Sequence, residues 1–264
     1  MEDIKRIAAD SINNADMVLV GIGEEFGMSL LRMEENLQYK RFLDRIEEIE
    51  EYGWLVPYVE KLYLREHKDE KIMKAYNKLG KLLEGKNHYI VSTCTDDCIY
   101  DAGFKEDRIV TPCGGYRFMQ CEDNCIGGIE EPDEVLLDQI YRSIKTGEEI
   151  AEIKKPVCIK CKKKLVFNNV NTDHYAEEGY LDKWDHYTKW LQGTVNRKLC
   201  VIELGVGMQF PTVIRWPFEK IVFFNQKSNL FRIHSRLYQL TEEIKERGFS
   251  LKENSTDFII NWFV

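Results

Sequence analysis

Four cysteines have the residue type and the spacing of a structural metal site. Cys121 and Cys125 are separated by three residues, Cys158 and Cys161 by two, and 32 residues lie between the two pairs. Two close pairs of thiolates can converge on one tetrahedral Zn²⁺ ion. Because four thiolates leave no coordination position for water or a substrate, we predict one structural zinc ion. The alternative, four ordinary buried thiols, requires two paired spacings to arise by chance.

The composition favours a folded protein with reduced cysteines. The chain has 264 residues, 44% of them hydrophobic, and a formal net charge of −8. This negative charge argues against nucleic acid as a partner, because phosphate backbones are bound through Lys and Arg. The N-terminal pattern is amphipathic, and no segment has the roughly 20 apolar residues of a membrane helix. We therefore expect a cytoplasmic protein with no membrane partner and mostly reduced cysteines.

Three short apolar runs predict buried parallel strands. They cover residues 17–23, 88–93 and 199–204, and they lack the polar alternation of a half-buried strand. Cys200 lies inside the third run, so we expect it to be a core thiol. Residues 220–224 and 230–233 are interpreted as later, shorter strands. Strands that alternate with helices predict an α/β fold, a doubly wound Rossmann-like parallel sheet.

Helical patterns fill most of the remaining chain. Apolar stripes predict helices over residues 2–14, near 133–145 and over roughly 181–191, and two to four helices between 29 and 84. The apolar C-terminal segment is interpreted as a strand. The predicted domains are a Rossmann-like domain (1–28, 86–117 and 166–264), a helical module or cap (29–85) and a zinc-binding module (118–165).

Glycines end two of the predicted strands. Gly21 and Gly23 close the first, and Gly205 and Gly207 follow the third. Glycine lets the backbone approach a pyrophosphate closely, so these turns are candidate nucleotide-binding loops. The alternative is an ordinary tight turn, which is what a Gly-x-Gly after a strand more often forms.

The chain contains three longer motifs. They are Ser92-Thr93-Cys94-Thr95-Asp96 followed by Ala102-Gly103-Phe104; Gly114-Gly115-Tyr116-Arg117-Phe118-Met119-Gln120-Cys121; and Glu203-Leu204-Gly205-Val206-Gly207 followed by Pro211 and Pro217-Phe218. These motifs resemble those of the sirtuin family, and among sirtuins they are most similar to the macrodomain-linked, class M members. The similarity extends from about residue 90 to residue 234, with a weaker match over residues 5–27.

The resemblance implies NAD as the cofactor, bound across the strand ends. It implies that Asp96 orders the nicotinamide ribose and that the cofactor-binding residues are Gly21, Gly23, Thr93, Asp96, Gln120, Gly205, Gly207 and His234. Class M sirtuins are associated with protein ADP-ribosyl transfer, so the implied function is mono-ADP-ribosylation of a protein, with a lipoyl-carrier protein as the candidate acceptor.

Several residues depart from the family pattern. Cys113 stands where deacylating sirtuins carry a histidine base, and Cys94 stands where the family has asparagine. We keep Asp96, Cys94 and Cys113 as the candidate catalytic residues, although an unperturbed thiol is mostly protonated near pH 7. Glu24 and Glu25 follow the first glycine turn, where two carboxylates would repel a pyrophosphate unless they turn outward.

These departures leave two readings open besides transfer. One is a degenerate sirtuin fold that binds a nucleotide or a protein without turnover, and the other, ranked last, is lysine deacylation. Whether the protein is an enzyme is therefore left open by the sequence.

Overall fold

A computed structural model describes residues 2–125, 128–148 and 153–262. The chain divides into two compact units. Unit 1 comprises Met1–Gly27, Glu70–Cys113 and Tyr180–Val264, and unit 2 comprises Met28–Asp69 and Gly114–Gly179. The helices are α1 (Glu2–Asn14), α2 (Leu37–Glu47), α3 (Val56–Glu66), α4 (Glu70–Leu82), α5 (Cys98–Asp101), α6 (Glu134–Thr146), α7 (Leu181–Gln192), α8 (Arg215–Phe224) and α9 (Ser255–Ile260). The strands are β1 (Met17–Ile22), β2 (His88–Ser92), β3 (Ile109–Val110), β4 (Gly114–Cys121), β5 (Ile129–Glu130), β6 (Leu165–Asn169), β7 (Leu199–Leu204), β8 (Ser228–Ile233) and β9 (Gly248–Leu251).

Unit 1 is built on a six-stranded parallel sheet. Its strand order is β3-β2-β1-β7-β8-β9, and every neighbouring pair is parallel. All residues of β1 and β7 are buried, which explains why both strands are apolar apart from Glu203, whose charge is paired with Arg232. The strand order reverses direction between β1 and β7, and open α/β sheets bind ligands at the carboxyl ends of the strands beside such a point. The predicted α/β, Rossmann-like fold is confirmed.

One predicted strand of unit 1 is wrong. Residues 220–224 form the end of α8 and not a strand. Phe218 and Val222, one helical turn apart, are the buried apolar residues of α8, whereas Phe223 and Phe224 are exposed. A short apolar run does not distinguish a strand from a helix end, and here the four-residue spacing of the buried side chains is the helical signal.

The C-terminal segment is also helical, contrary to the predicted strand. Asn254 is the N-cap of α9, and its Oδ1 accepts hydrogen bonds from the backbone N–H groups of Thr256 and Asp257. Phe258 and Ile259 are fully buried in unit 1. Residues 263 and 264 of the predicted strand lie outside the described residues.

Unit 2 combines helices with a three-stranded antiparallel sheet of order β5-β4-β6. Helices α2, α3 and α6 and this sheet share one core, whose buried residues include Tyr39, Phe42, Tyr58, Leu62, Leu137, Ile140 and Phe167. The helical segment and the cysteine segment therefore form one unit, where the sequence suggested two modules. Helix α4 belongs to unit 1 instead, where Tyr76 packs edge-on against Phe26 and Phe104.

A buried ion pair joins β7 and β8. Glu203 and Arg232 are register partners, and the Arg232 guanidinium donates to both Glu203 carboxylate oxygens at 2.6 and 3.1 Å. Arg232 also donates to Glu219 at 2.7 Å. Both Glu203 and Arg232 are almost fully buried, so each charge depends on its partner.

None of the helices formed by the described residues is both long and apolar enough to cross a membrane.

We predict that Glu203→Gln lowers the free energy of unfolding by about 3 kcal/mol, because it leaves part of the buried Arg232 charge uncompensated. Lys71→Ala is the matched control, since it breaks the half-exposed Lys71–Asp257 pair and should cost less than about 1 kcal/mol. Urea unfolding at pH 7 measures both. Equal effects of the two substitutions would contradict the assigned role of the buried pair.

Candidate functional site

The strand register brings the predicted nucleotide-binding residues of unit 1 into one row. Ile22 pairs with Ser92 on one side and Leu204 on the other, and Leu204 pairs with Ile233. The residues that follow these strand ends are Thr93, Gly23, Gly205 and His234. They therefore line the carboxyl edge of the sheet across the switch point between β1 and β7.

The glycines of this edge have internal packing reasons to lack a side chain. A Cβ on Gly23 would lie 2.5 Å from the carbonyl oxygen of Gly205 and 2.6 Å from the Cα of Val206. A Cβ on Gly21 would lie 2.5 Å from Ile214 and 2.9 Å from Phe218 at the start of α8. Gly23 is thus required by the close backbone of the loop after β7, and Gly21 by the side chains of Ile214 and Phe218. Contact of these glycines with a pyrophosphate stays a prediction.

The second glycine turn is shaped by the acidic pair of the first. Gly205 has a φ of +62°, the left-handed conformation that favours glycine, and its Cβ would lie 2.5 Å from the Cβ of Glu25. A Cβ on Gly207 would overlap the carboxylate of Glu24. Both glutamates therefore turn toward the loop after β7.

Glu25 is an internal anion of unit 1. Its carboxylate accepts hydrogen bonds from the backbone N–H groups of Ser235, at 2.8 Å, and Ser255, at 2.7 Å. Burial acts to raise the pKa of Glu25, but the hydrogen bonds from Ser235 and Ser255 outweigh it and lower the pKa below its usual 4.5. The charge of Glu25 is thus compensated by the protein itself.

Glu24 is held differently, by a histidine. The buried His234 ring approaches Glu24 Oε1 through Nε2 at 3.3 Å. His234 Nδ1 accepts hydrogen bonds from the backbone N–H groups of Arg236 and Leu237, at 3.0 and 3.2 Å. This network assigns the proton to Nε2, which donates to Glu24. The side chain of Glu24 remains 44% exposed, so its carboxylate is fixed but accessible.

Cys94 is locked into the strand-end packing. Its thiol donates to the carbonyl oxygen of Gly23 at 3.2 Å, and its backbone N–H donates to the Ser92 hydroxyl. Burial raises the pKa of Cys94 above its usual value. Beside it, Thr93 is partly exposed, and its hydroxyl lies 3.4 Å from the carbonyl oxygen of Ile22. The thiol therefore contributes packing and one hydrogen bond, and it does not form a thiolate near pH 7.

Asp96 is half-buried and uses one oxygen to organise α5. Its Oδ1 accepts from the backbone N–H of Cys98, the first residue of α5, at 2.9 Å, which is the contact of an Asx turn before the N-cap residue Asp97. Its Oδ2 lies on the side of Gly27, 3.9 Å from the position of a Cβ there. Asp96 therefore holds the first N–H of α5 from the position before the N-cap, whereas the sequence offered it as the cap itself; its role at a ribose stays a prediction.

Cys113 is buried, and that burial raises the pKa of its thiol to about 12. The thiol is therefore protonated near pH 7 and cannot accept a proton.

Gln120 has a complete set of partners within unit 2. Its Oε1 accepts from the backbone N–H of Ala176 at 2.8 Å and from the amide of Asn168 at 2.7 Å, while its Nε2 donates to the carbonyl oxygen of His174 at 2.7 Å. Its side chain is fully buried. These contacts give Gln120 a structural role, and its predicted cofactor contact is untested.

Arg215 is a residue of this edge that sequence reasoning missed. Its guanidinium donates to the carbonyl oxygens of Val206, at 3.0 Å, and Leu237, at 2.8 Å. It thereby joins the loop after β7 to the loop after β8. The available signal was an arginine within the apolar segment 213–218, where a buried charge must have partners.

The four predicted zinc ligands meet in unit 2. The sulfur atoms of Cys121, Cys125, Cys158 and Cys161 all lie within 4.8 Å of one another. The Cys121–Cys161 and Cys125–Cys158 distances are 3.5 Å. Tetrahedral zinc with Zn–S bonds of about 2.3 Å requires sulfur atoms about 3.8 Å apart. The cluster thus has the size and the chemistry to hold Zn²⁺.

The β4–β6 ladder brings the two cysteine pairs together. Cys121 ends β4 opposite Leu165, the first residue of β6, and the bridge from Val157 to Lys164 extends the pairing into the second knuckle. Lys162 has a φ of +63°, as the tight turn after Cys161 requires. The ligand pairs are therefore held by backbone pairing.

Backbone and lysine groups surround the thiol cluster. The backbone N–H groups of Cys161 and Lys160 lower the pKa of Cys158. The neighbouring lysines pair with the other knuckle: Lys160 donates to the carbonyl oxygen of Cys125, Lys163 contacts Asp123 and Lys164 contacts Glu122. The basic run that the sequence displays is thus a flank of the knuckles.

We predict about one zinc ion per purified chain, and Cys158→Ser should reduce this content to well below half, because one thiolate of the tetrahedral set is lost. It should also lower the melting temperature. Cys200→Ala, a buried thiol of unit 1, is the control and should keep the metal. Atomic emission analysis measures the content, and unchanged zinc in Cys158→Ser would refute the ligand set.

We predict that Glu25→Gln makes the free energy of unfolding depend less steeply on pH below about pH 6. A carboxyl group with a lowered folded pKa contributes stability that is present above the unfolded value, about 4.5, and lost as pH falls through the folded value. Urea midpoints of wild type and variant should therefore converge from about pH 6 to about pH 3. Glu242→Gln, at an exposed side chain, should parallel wild type. Parallel curves for Glu25→Gln would contradict the internal-anion role.

Comparison with known proteins identifies relatives at low sequence identity. No protein-family profile matches the chain. A protein ADP-ribosyltransferase of Staphylococcus aureus (strain Mu50) is 23% identical over 274 residues, which cover 94% of this chain and 84% of that protein. A probable bifunctional ADP-ribose hydrolase/ADP-ribosyltransferase of Fusarium oxysporum f. sp. cubense is 25% identical over 142 residues, covering 52% of this chain and 24% of that protein.

Solved structures match nearly the whole chain. Sir2Tm bound to a propionylated peptide has a TM-score of 0.53 at 14% identity, over 98% of this chain and 96% of that one. A Sir2 homolog–NAD complex has a TM-score of 0.53 at 14% identity, over 97% and 91%. The resemblance drawn from the sequence motifs is confirmed, and the chain has the sirtuin fold.

Proposed function

We propose that this protein is a NAD-dependent protein mono-ADP-ribosyltransferase of the class M sirtuin kind. The observation that carries the proposal is the alignment with the Staphylococcus aureus ADP-ribosyltransferase, which spans 94% of this chain and 84% of the relative. The shorter match to the Fusarium protein, whose name joins ADP-ribose hydrolysis to ADP-ribosyl transfer, supports the same class.

The chemistry of the strand ends favours transfer over deacylation. Deacylating sirtuins use a histidine base, as the family resemblance implies, whereas the position here is Cys113 and no histidine occurs between His88 and His174. The raised pKa of Cys113 keeps its thiol protonated, so it cannot replace that base. Direct transfer to an acceptor side chain does not need this proton acceptor.

The residues present fit a dinucleotide at the carboxyl edge. Thr93 and Asp96 are partly exposed polar groups there, and Glu24 is fixed by His234 beside the second glycine turn. NAD, when bound, supplies an ADP-ribosyl group through cleavage of its bond to nicotinamide. Thr93 and Asp96 would hold the nicotinamide ribose, with Asp96 accepting a hydrogen bond from a ribose hydroxyl while its Oδ1 remains on α5.

A second candidate is a nucleotide-binding module without turnover. It is favoured by Cys94, whose buried thiol is committed to Gly23 where the family has an asparagine amide. Two acidic side chains beside the glycine turns support it as well. This candidate predicts binding of NAD or ADP-ribose with no release of nicotinamide.

The acceptor class is a further part of the proposal. We propose a protein acceptor, with a lipoyl-carrier protein as the first candidate because the class M resemblance implies it. Labelled NAD incubated with the lipoylated and the unlipoylated carrier protein tests this directly. Label on neither form would remove the lipoyl-carrier candidate and leave the acceptor search open to other proteins.

We predict that Asp96→Asn reduces nicotinamide release and label transfer at least about tenfold, because the amide oxygen can still accept from the Cys98 N–H but a charge-assisted hydrogen bond to the ribose is lost. Asp101→Asn, at an exposed position on the same short helix, should keep wild-type rates. Calorimetric titration with NAD accompanies the assay. No heat at about 1 mM NAD would refute the transferase proposal, and binding without nicotinamide release would favour the module.

A further inference from the structure

We propose that Glu24 is a specificity-determining residue that accepts hydrogen bonds from the free 2′,3′-diol of a nucleotide ribose and excludes nucleotides phosphorylated on that diol. This inference rests on the proposed nucleotide-binding function and assigns its chemical selectivity to one carboxylate.

The two adjacent glutamates differ in what they leave available. Glu25 is 7% exposed, and both of its oxygens accept backbone hydrogen bonds, from Ser235 and Ser255. Glu24 is 44% exposed, and its Oε1 receives the Nε2–H of His234. A carboxylate offers about four lone-pair sites. The Glu24 carboxylate can therefore still accept hydrogen bonds on its exposed side, whereas both oxygens of Glu25 already accept hydrogen bonds from the backbone.

His234 fixes the direction of the Glu24 carboxylate. The ring is 1% exposed and is itself oriented by two backbone N–H groups, those of Arg236 and Leu237, on Nδ1. The other Glu24 oxygen, Oε2, occupies the space where a Cβ of residue 207 would stand. The absence of a side chain at Gly207 thus makes room for this carboxylate, and a held carboxylate loses little entropy when it binds a ligand.

The Glu24 carboxylate lies at the edge where open α/β sheets bind their ligands. Glu24 follows β1, and Gly207 follows β7, so the carboxylate lies at the carboxyl ends of the two strands that flank the switch point. A carboxylate near the carboxyl end of a Rossmann-type strand can accept hydrogen bonds from ribose hydroxyls, and a phosphate group on the same ribose would be repelled.

The negative charge of the Glu24 carboxylate favours a ribose diol over a phosphate group as its partner. The carboxylate of Glu25 accepts hydrogen bonds from two backbone N–H groups, but the carboxylate of Glu24 faces an accessible edge with the buried His234 ring behind it. A phosphate placed beside an uncompensated carboxylate lowers the affinity for the nucleotide by roughly several-fold to several-hundred-fold. The pyrophosphate of a bound dinucleotide would therefore lie away from the Gly205–Gly207 turn, with the ribose diol against it.

The test uses ADP-ribose and 2′-phospho-ADP-ribose, which require no turnover. Wild type should bind ADP-ribose at least about 30-fold more tightly than the 2′-phosphorylated form. Glu24→Gln should weaken ADP-ribose about tenfold and reduce the preference to below about fivefold, because one neutral amide replaces the charged acceptor. Glu24→Ala is the second variant and should lose the preference as well.

Glu25→Gln is the matched control. It removes the same charge at the neighbouring residue, where the carboxylate already accepts two backbone hydrogen bonds. It should lower stability and keep the preference for ADP-ribose. Isothermal titration calorimetry measures all four proteins, with circular dichroism to confirm folding. A preference unchanged in Glu24→Gln, equal loss in Glu25→Gln, or no ADP-ribose binding by wild type would overturn the inference. Diol-dependent binding without any transfer would refute the transferase proposal alone.

Discussion

The parallel hydrogen-bond ladder from β2 through β1 and β7 to β8 is the constraint on which the candidate nucleotide site depends. It sets Ile22 level with Ser92 and Leu204, so that the chain leaves all of these strands at the same edge. This alignment brings the backbone after β1 so close to the loop after β7 that Gly23 has no room for a Cβ. The same alignment puts polar groups from distant parts of the chain within reach of one ligand.

Glu24 and Glu25, which follow β1, place two negative charges at this edge of the sheet. Two carboxylates beside glycine turns would repel an anionic ligand, but Glu25 is stabilised as an anion by two backbone N–H groups and Glu24 is held by the buried His234. The repulsion is thereby confined to the side of the Gly205–Gly207 turn. In the sequence, Glu24 and Glu25 look unfavourable for binding a phosphate group. With the contacts described above, Glu24 instead has the properties of a residue that selects hydroxyl groups.

Much of the architecture could be predicted from the sequence because its signals are local. The buried strand β1 is an uninterrupted apolar run, β7 is apolar apart from Glu203, and the zinc ligands are two short-range cysteine pairs whose sulfur atoms do converge. The strand predicted at residues 220–224 is wrong because Lys220 and the four apolar residues after it are too short a stretch to show a period of their own; the helical spacing appears only when Phe218 is included. The direction of Glu25 could not be predicted either, since its partners Ser235 and Ser255 lie 210 and 230 residues further along the chain.

We propose that the carboxyl edge of the unit 1 sheet binds the ADP-ribosyl part of a dinucleotide. Hydrogen–deuterium exchange with and without ADP-ribose tests this binding, because it reports on backbone groups without needing turnover. We expect slower exchange in peptides that contain residues 23–25, 93–98 and 205–207, with little change in the zinc knuckles. Protection confined to other segments, or none at saturating ADP-ribose, would contradict it.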